Sequence, residues 1–170
     1  MIRGLKGIHP IVHPEAFVSE AAYVIGDVQI GANSSIWPGT VIRGDSGRIL
    51  IGDNTCIQDN STVHSDDGTI IGNGVVIGHN VLCHADSVGD NVLIGSGATV
   101  NGGVHIGGNS IVASGAVVLE GVKIPEGSLV VGVPGKVLTS ITAKQTAMIG
   151  EMSRHYVERI QDYKAEGDLE

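Results

Sequence analysis

The sequence predicts an all-β fold, a parallel β-helix of six-residue units followed by a C-terminal α-helix. Three observations carry this expectation. Aliphatic residues recur every six positions from Val18 to about Val130. Asn or Gly stands three positions after the aliphatic residue at 33, 39, 54, 60, 74, 80, 91, 97, 103, 109, 115, 121 and 127. From Thr139 onward the apolar spacing changes to three, four or seven, with charged residues between.

The aliphatic series runs Val18, Val24, Ile30, Ile36, Ile42, then Ile51, Ile57, Val63, then Ile71, Ile77, Cys83, then Val88, Ile94, Val100, Ile106, Val112, Val118, Ile124 and Val130. Its step is broken after Ile42, Val63 and Cys83. Asn and Gly tolerate a left-handed backbone at low cost, so each unit reads as a short strand plus a corner. Asp27, Asp45, Asp66 and Asp86 hold the same position in their units and are expected to form corners too. A period of six cannot contain a helix, and a lone strand cannot bury its own face. Stacked coils satisfy both conditions. A sandwich with turns every eight to twelve residues would not hold one phase so long. Phe17 and Trp37 are expected to cap or fill the first coils. The stretch VGVPGKV, Val131–Val137, reads as the exit from the repeat. Ile141, Met148, Met152, Tyr156, Ile160 and Tyr163 then form the apolar stripe of an amphipathic helix that packs along the outside, with Ala165–Glu170 fraying. Residues 1–137 are thus one β-helix domain and residues 138–170 the helix that covers part of it.

Composition agrees with an aliphatic core. Gly accounts for 26 of 170 residues, and the aromatic set is only Phe17, Tyr23, Trp37, Tyr156 and Tyr163. Ten Lys and Arg against eighteen Asp and Glu give a formal charge of −8, which disfavours nucleic acid or an anionic membrane surface as partner. The N-terminal residues lack a signal-peptide pattern and no apolar run approaches membrane-spanning length, so a cytoplasmic protein is expected. Cys56 and Cys83 make no CxxC pair and read as buried thiols.

The repeat resembles that of the hexapeptide-repeat proteins. The resemblance covers about two thirds of the chain and implies a left-handed β-helix with three strands per coil. With three units per coil, Ile42, Val63, Cys83, Val100 and Val118 share one face, and Ile36, Ile57, Ile77 and Ile94 share the preceding one. Arg43, His64, His84 and Asn101 then stack in one column, on coils about 4.8 Å apart. Two imidazoles so placed are suited to share a zinc at about 2.0–2.1 Å from each nitrogen. The longer step after Val63 brings them into register. His79 stacks over Asp59 on the preceding face, across a corner from His84, so a neighbouring subunit is the better source of this third imidazole. A three-sided prism then favours a homotrimer.

The pattern Val63-His64 followed by His79-Asn80-Val81-Leu82-Cys83-His84, with IRGD at Ile42–Asp45 and IQDN at Ile57–Asn60, is similar to the γ-class carbonic anhydrases and their bacterial relatives. That resemblance implies zinc, with iron or cobalt as alternatives, held by His64 and His84 of one subunit and His79 of the next. It implies a metal-activated hydroxide, formed because zinc lowers the pKa of bound water to about 7, attacking carbon dioxide to give bicarbonate. Gln58 would orient the hydroxide. Arg43 and Asp59 would meet as an ion pair between subunits, and Asp45 would anchor that network as a turn residue. The chain departs from the family's founding type in carrying Ser46 where a Glu follows the RxD motif. Its loop is only Ser65-Asp66-Asp67-Gly68, where the founding type has a long acidic one with a proton-shuttling Glu. Asp66 or Asp67 would have to relay protons. Tyr156 resembles a helix Tyr that reaches the pocket in relatives, and equally fits the apolar stripe. His9, His13, His105 and His155 fall off the columns. Two other functions stay open: an acyl-CoA-handling transferase or thioesterase, with Lys123 and Lys136 near the late coils for coenzyme phosphates, and a metal-stabilised structural trimer without turnover.

Overall fold

Each repeat aliphatic residue sits directly over its counterpart in the next coil. The computed structural model of the chain describes residues 1–166. On one face Ile42, Val63, Cys83, Val100 and Val118 pair in succession. On the second, Val18, Ile36, Ile57, Ile77, Ile94, Val112 and Val130 do so. On the third, the ladder is Ile30, Ile51, Ile71, Val88, Ile106 and Ile124. All pairing within these ladders is parallel, and nearly all of these side chains are buried in one continuous core. This is the predicted parallel β-helix. Its interior is filled by Val and Ile because successive coils bring identical positions together, and a column of branched aliphatics packs on itself without aromatic rings.

The corners follow the sequence in one class and depart from it in another. Every Asn and Gly of the predicted corner set has positive φ, from Asn33 at 55° to Gly127 at 71°. The four Asp positions do not. Asp27 and Asp45 lie inside long strands, Tyr23–Ile30 and Val41–Ile51. Near them and near Asp66 the left-handed residues are Gly26 and Gly68. The reason is that these two strands run through the corner in extended form, paired from Tyr23↔Val41 to Ile30↔Ile51, with one irregularity between Gly26 and Val28. They thereby fuse the first and third faces into one twelve-stranded sheet among the described residues. The second face forms a separate sheet of eight.

A second regularity runs along the third face. Gly31, Gly52, Gly72, Gly89 and Gly107 each follow a core aliphatic. A Cβ on Gly52 would lie 2.7 Å from the carbonyl of Gly72, and one on Gly72 would lie 2.8 Å from Gly89. Backbone meets backbone along this seam.

The exit differs in detail from expectation. After Ser128–Val131 the chain doubles back through Lys136–Ser140, an exposed antiparallel strand, before the helix Ala143–Glu166 begins. Thr142 and Gln145 form a capping box: the Gln145 side chain accepts from the Thr142 amide at 2.8 Å, and the Thr142 hydroxyl accepts from the Gln145 amide at 3.3 Å. The helix packs on the second face with Ile149, Ser153 and Ile160 buried. Met148, expected in the stripe, is 38 % exposed. The packed stripe runs 149, 153 and 160 with Tyr156 half-buried, and its polar member Ser153 escapes an apolar count because its hydroxyl donates to the Asn54 carbonyl at 2.7 Å. Ala165 and Glu166 still belong to the helix, while Gly167–Glu170 lie outside the described residues.

Phe17 and Trp37 neither cap nor fill the coils. Trp37 follows the inward-facing Ile36, so strand alternation turns it outward. It is buried there between sheet and helix, against Cys56 and Ile160, with its ring 5.5 Å from Phe17, 5.6 Å from Tyr156 and 5.0 Å from Tyr163. Its indole N–H donates to the Ser35 hydroxyl at 3.0 Å. No helix of the described residues is long and apolar enough to cross a membrane.

Candidate metal centre

His64 ends the strand Thr62–His64, and His84 follows the strand Leu82–Cys83. Because Val63 pairs with Cys83, the two imidazoles leave the sheet in the same column. His64 Nδ1 and His84 Nε2 face each other at 3.0 Å. The other nitrogen of His64 is already taken, since Nε2 lies 3.0 Å from Asp45 Oδ1. Asp45 in turn contacts the guanidinium of Arg43, which pairs with His64 in the sheet register. The hydrogen bond from Arg43 holds the Asp45 carboxyl below its ordinary range; burial opposes this and the contact with His64 adds to it. Asp45 is therefore a strand residue that orients an imidazole, not a turn residue.

On its far side His84 faces Gly102, where a Cβ would stand 3.1 Å from Nδ1. A side chain at 102 would push on the ring. Asp66 Oδ2 lies 3.9 Å from His84 Nε2. Ligand atoms of His64, Asp66 and His84 all fall within 4.8 Å of one another, and this is the triad found among the described residues.

These residues fit a divalent metal. Two nitrogens bound to one ion at tetrahedral angles stand about 3.3 Å apart, close to the separation seen. An imidazole whose remote nitrogen meets a carboxylate is the usual arrangement behind a metal, fixing tautomer and ring orientation. The donor set, nitrogen-rich with an exposed carboxylate, suits zinc, cobalt or iron better than calcium or magnesium.

The other predicted residues gather elsewhere. His79 Nδ1 lies 3.0 Å from Asp59 Oδ2. Gln58 is buried, and its backbone carbonyl accepts from the Thr40 hydroxyl at 2.9 Å. Burial pushes the Cys56 thiol up to about 12 and the Cys83 thiol to about 11. Tyr156 meets Trp37 edge to face; burial raises its hydroxyl's pKa, and Cys56 and Asp59 raise it further while Arg159 lowers it. Tyr156 thus belongs to the apolar packing of the helix. One chain carries two separate groups: Arg43, Asp45, His64, Asp66 and His84 on one side, Gln58, Asp59, His79 and Tyr156 on the other. Arg43 and Asp59 each have a partner within the chain, Asp45 and His79 respectively. Of the remaining histidines, His105 Nδ1 lies 2.8 Å from the Ser87 hydroxyl.

Two features escaped the sequence reading. Gly102 as the residue making room for His84 was signalled by the Gly102-Gly103 pair that follows Asn101, the residue above His84 in the column. The Asp45–His64 contact follows from strand alternation, which puts Arg43 and Asp45 on the same side of an extended segment.

A β-helix bearing paired, carboxylate-backed imidazoles between coils defines a metal-binding class of solenoid, and comparison with known proteins agrees. The family models for the bacterial transferase hexapeptide (six repeats) and for the hexapeptide repeat of succinyl-transferase match residues 87–120 and 48–82. A probable carbonic anhydrase of Methanocaldococcus jannaschii is 45 % identical over 152 residues, covering 86 % of this chain and 96 % of that protein. A carbonic anhydrase of Geobacillus kaustophilus is 42 % identical over 167 residues, covering 97 % and 92 %. The mitochondrial gamma carbonic anhydrase 1 of Arabidopsis thaliana is 42 % identical over 165 residues, 92 % of this chain, but the chain spans only 60 % of that relative's length. Among solved structures, a hexapeptide transferase family protein from Anaplasma phagocytophilum superposes with TM-score 0.92 at 35 % identity over 95 % of this chain and 97 % of the other. A putative acetyltransferase from Bacillus cereus does so with TM-score 0.91 at 35 % identity over 96 % of each. The chain belongs to the γ-carbonic-anhydrase-like family of hexapeptide-repeat proteins.

Proposed function

We propose that the chain is a γ-carbonic-anhydrase-like lyase that reversibly hydrates carbon dioxide, at a metal shared between subunits of a homotrimer. The observation that carries this reading is the facing pair His64 and His84, 3.0 Å apart and backed by Asp45. His64 and His84 of one chain and His79 of a neighbour would hold zinc, or iron or cobalt. When bound, such an ion supplies the Lewis acidity that makes water acidic enough to act as a nucleophile near neutral pH. The chain's own residues do the rest. Asp45 keeps His64 in one tautomer and orientation. Gln58 donates and accepts hydrogen bonds that orient the attacking water. Asp66, 76 % exposed, receives the proton that hydration releases and passes it to solvent. Arg43 and Asp59 pair across the interface, exchanging their partners within the chain. Buried free thiols at Cys56 and Cys83 accord with a reducing, cytoplasmic setting.

The test is stopped-flow hydration of carbon dioxide by protein whose metal content has been measured, beside its His84→Ala variant. Hydration by the parent, lost in the variant, is the expected result. No hydration at full metal loading overturns the reading and leaves a metal-stabilised structural trimer; hydration undiminished on substitution overturns it too, by removing His84 from the reaction.

A second reading, an acyl-CoA-handling transferase or thioesterase, draws support from the two similar solved structures, described as a hexapeptide transferase family protein and a putative acetyltransferase. Lys123 and Lys136, both exposed, are the cations available near the late coils for coenzyme phosphates. Release of free coenzyme from acetyl-CoA, independent of added metal, would select it.

A further inference from the structure

We infer that the cleft between the last turn of the helix and the first coil binds an organic cation, an ammonium head carried on an apolar body. The inference is independent of the metal centre and of the hydration of carbon dioxide.

The cleft follows from where the solenoid begins. Phe17–Val18 is the terminal strand of the eight-stranded sheet and pairs only with Ser35–Ile36, so among the described residues no strand stacks on its outer edge. The end of the helix lies beside that edge, and a cleft of about 650 Å³ separates the two. Its floor is apolar, made by Phe17 and Pro38, both half-buried, and by Tyr163, which is 48 % exposed. Tyr163 stands edge to face with Phe17 at 5.6 Å and with Trp37 at 5.0 Å, and partly exposed rings of this kind attract a cation through their π faces. Around the floor stand three carboxylates, Glu20 on the coil and Asp162 and Glu166 on the helix. None of the three pairs with Lys, Arg or His among the described residues. The cations close by are engaged elsewhere: the Lys164 ammonium donates to the Glu15 carbonyl at 2.7 Å, and the Met1 ammonium to the carbonyls of Glu20 and Ala22. The helix makes this negative charge costly. Asp162 and Glu166 are four residues apart, so they repel on one helix face, and they sit at the end where the macrodipole is already negative, while the first turn holds no acid. A bound cation relieves both costs. A hydrated inorganic ion would meet an apolar floor that cannot replace its water, whereas an ammonium on an alkyl or aromatic body satisfies floor and rim together.

Trp37 is the chain's single tryptophan and touches Tyr163, so its fluorescence reports on the cleft. The protein is titrated with phenethyltrimethylammonium chloride at constant ionic strength, with 2-phenylethanol as the neutral control and calorimetry as a second readout. A quaternary head cannot ligate a metal, so the signal does not arise at the histidines. Saturable binding of the ammonium is expected, at least about threefold tighter than that of the alcohol. The Asp162→Asn/Glu166→Gln variant, altered only at exposed side chains, should melt as the parent does and bind the ammonium at least about threefold more weakly. No saturable binding by either readout, a smaller difference for the alcohol or for the variant, or displacement of the ammonium by an equal concentration of calcium chloride overturns the inference. Carbon dioxide hydration is not read at any point, so failure of the proposed lyase activity leaves this result standing.

Discussion

Both nitrogens of the His64 imidazole are engaged, Nε2 by Asp45 and Nδ1 by His84, so the ring has one orientation. Replacing Asp45 with Asn keeps the shape but removes the charge that makes His64 a strong donor, and should weaken metal binding about 10- to 100-fold with the fold intact. Equilibrium dialysis against zinc or cobalt measures it. The thiols give a prediction in pH. Cys56 and Cys83 ionise at about 12 and about 11 when folded, against 9.0 ordinarily. Folding is therefore favoured by the protonated thiols below pH 9, and this contribution is lost as pH rises from about 9 through about 12. Thiol-reactive dye at pH 8 should label neither cysteine until the protein unfolds; stoichiometric labelling of the native state would show the burial to be wrong. At this scale the sequence exposed the histidine column because a repeat converts spacing into position. It did not expose Asp45 as the partner of His64, since a turn reading of Asp hid the fact that the strand runs on.

At the scale of the element, the corners are the most legible feature. Asn80 adopts φ of 56°, where Gly is unstrained and Ala is not. Asn80→Ala should cost about 1–2 kcal/mol in denaturant unfolding and Asn80→Gly much less, a difference reporting backbone strain alone. Strand positions were legible for a related reason: six residues per unit leave no other use for the aliphatic one. The helix was legible in kind and less so in phase. Its buried face includes Ser153, and a hydroxyl satisfied by the Asn54 carbonyl looks polar to any count of apolar residues. Thr142→Ala removes one side of the capping box and should lower stability by about 1 kcal/mol. The aromatic residues were misplaced in the sequence reading for want of one step, because a ring next to an inward-facing Ile faces outward, where the helix covers it.

Considered as a whole, the molecule separates the predicted site residues into two groups on different sides of one prism. Neither group holds all three histidines, and this separation is readable from the repeat alone. Subunit mixing tests its meaning. His79→Ala and His84→Ala each spoil a different group, so co-refolded mixtures contain interfaces where one chain supplies an intact His79 and the other intact His64 and His84. Recovered carbon dioxide hydration in the mixture, with each variant inactive alone, is expected; no recovery despite proven mixing would place the site within one chain. Which chain would meet which was not legible, because contacts between copies leave no period in one sequence.

The glycine seam has a bearing on the metal. Where Gly52 meets Gly72 and Gly72 meets Gly89, a Cβ would stand 2.7–2.8 Å from the next coil's backbone, so only glycine fits there at the pitch of about 4.8 Å that the parallel hydrogen-bonded ladders set. His64 and His84 are one pitch apart. The protein thus measures its ligand spacing with a ruler made of peptide bonds, and metal preference should be insulated from core repacking. Ile94→Val, a change in the buried column, should lower stability in thermal unfolding by about 0.5–1.5 kcal/mol while leaving the cobalt absorption spectrum where it was.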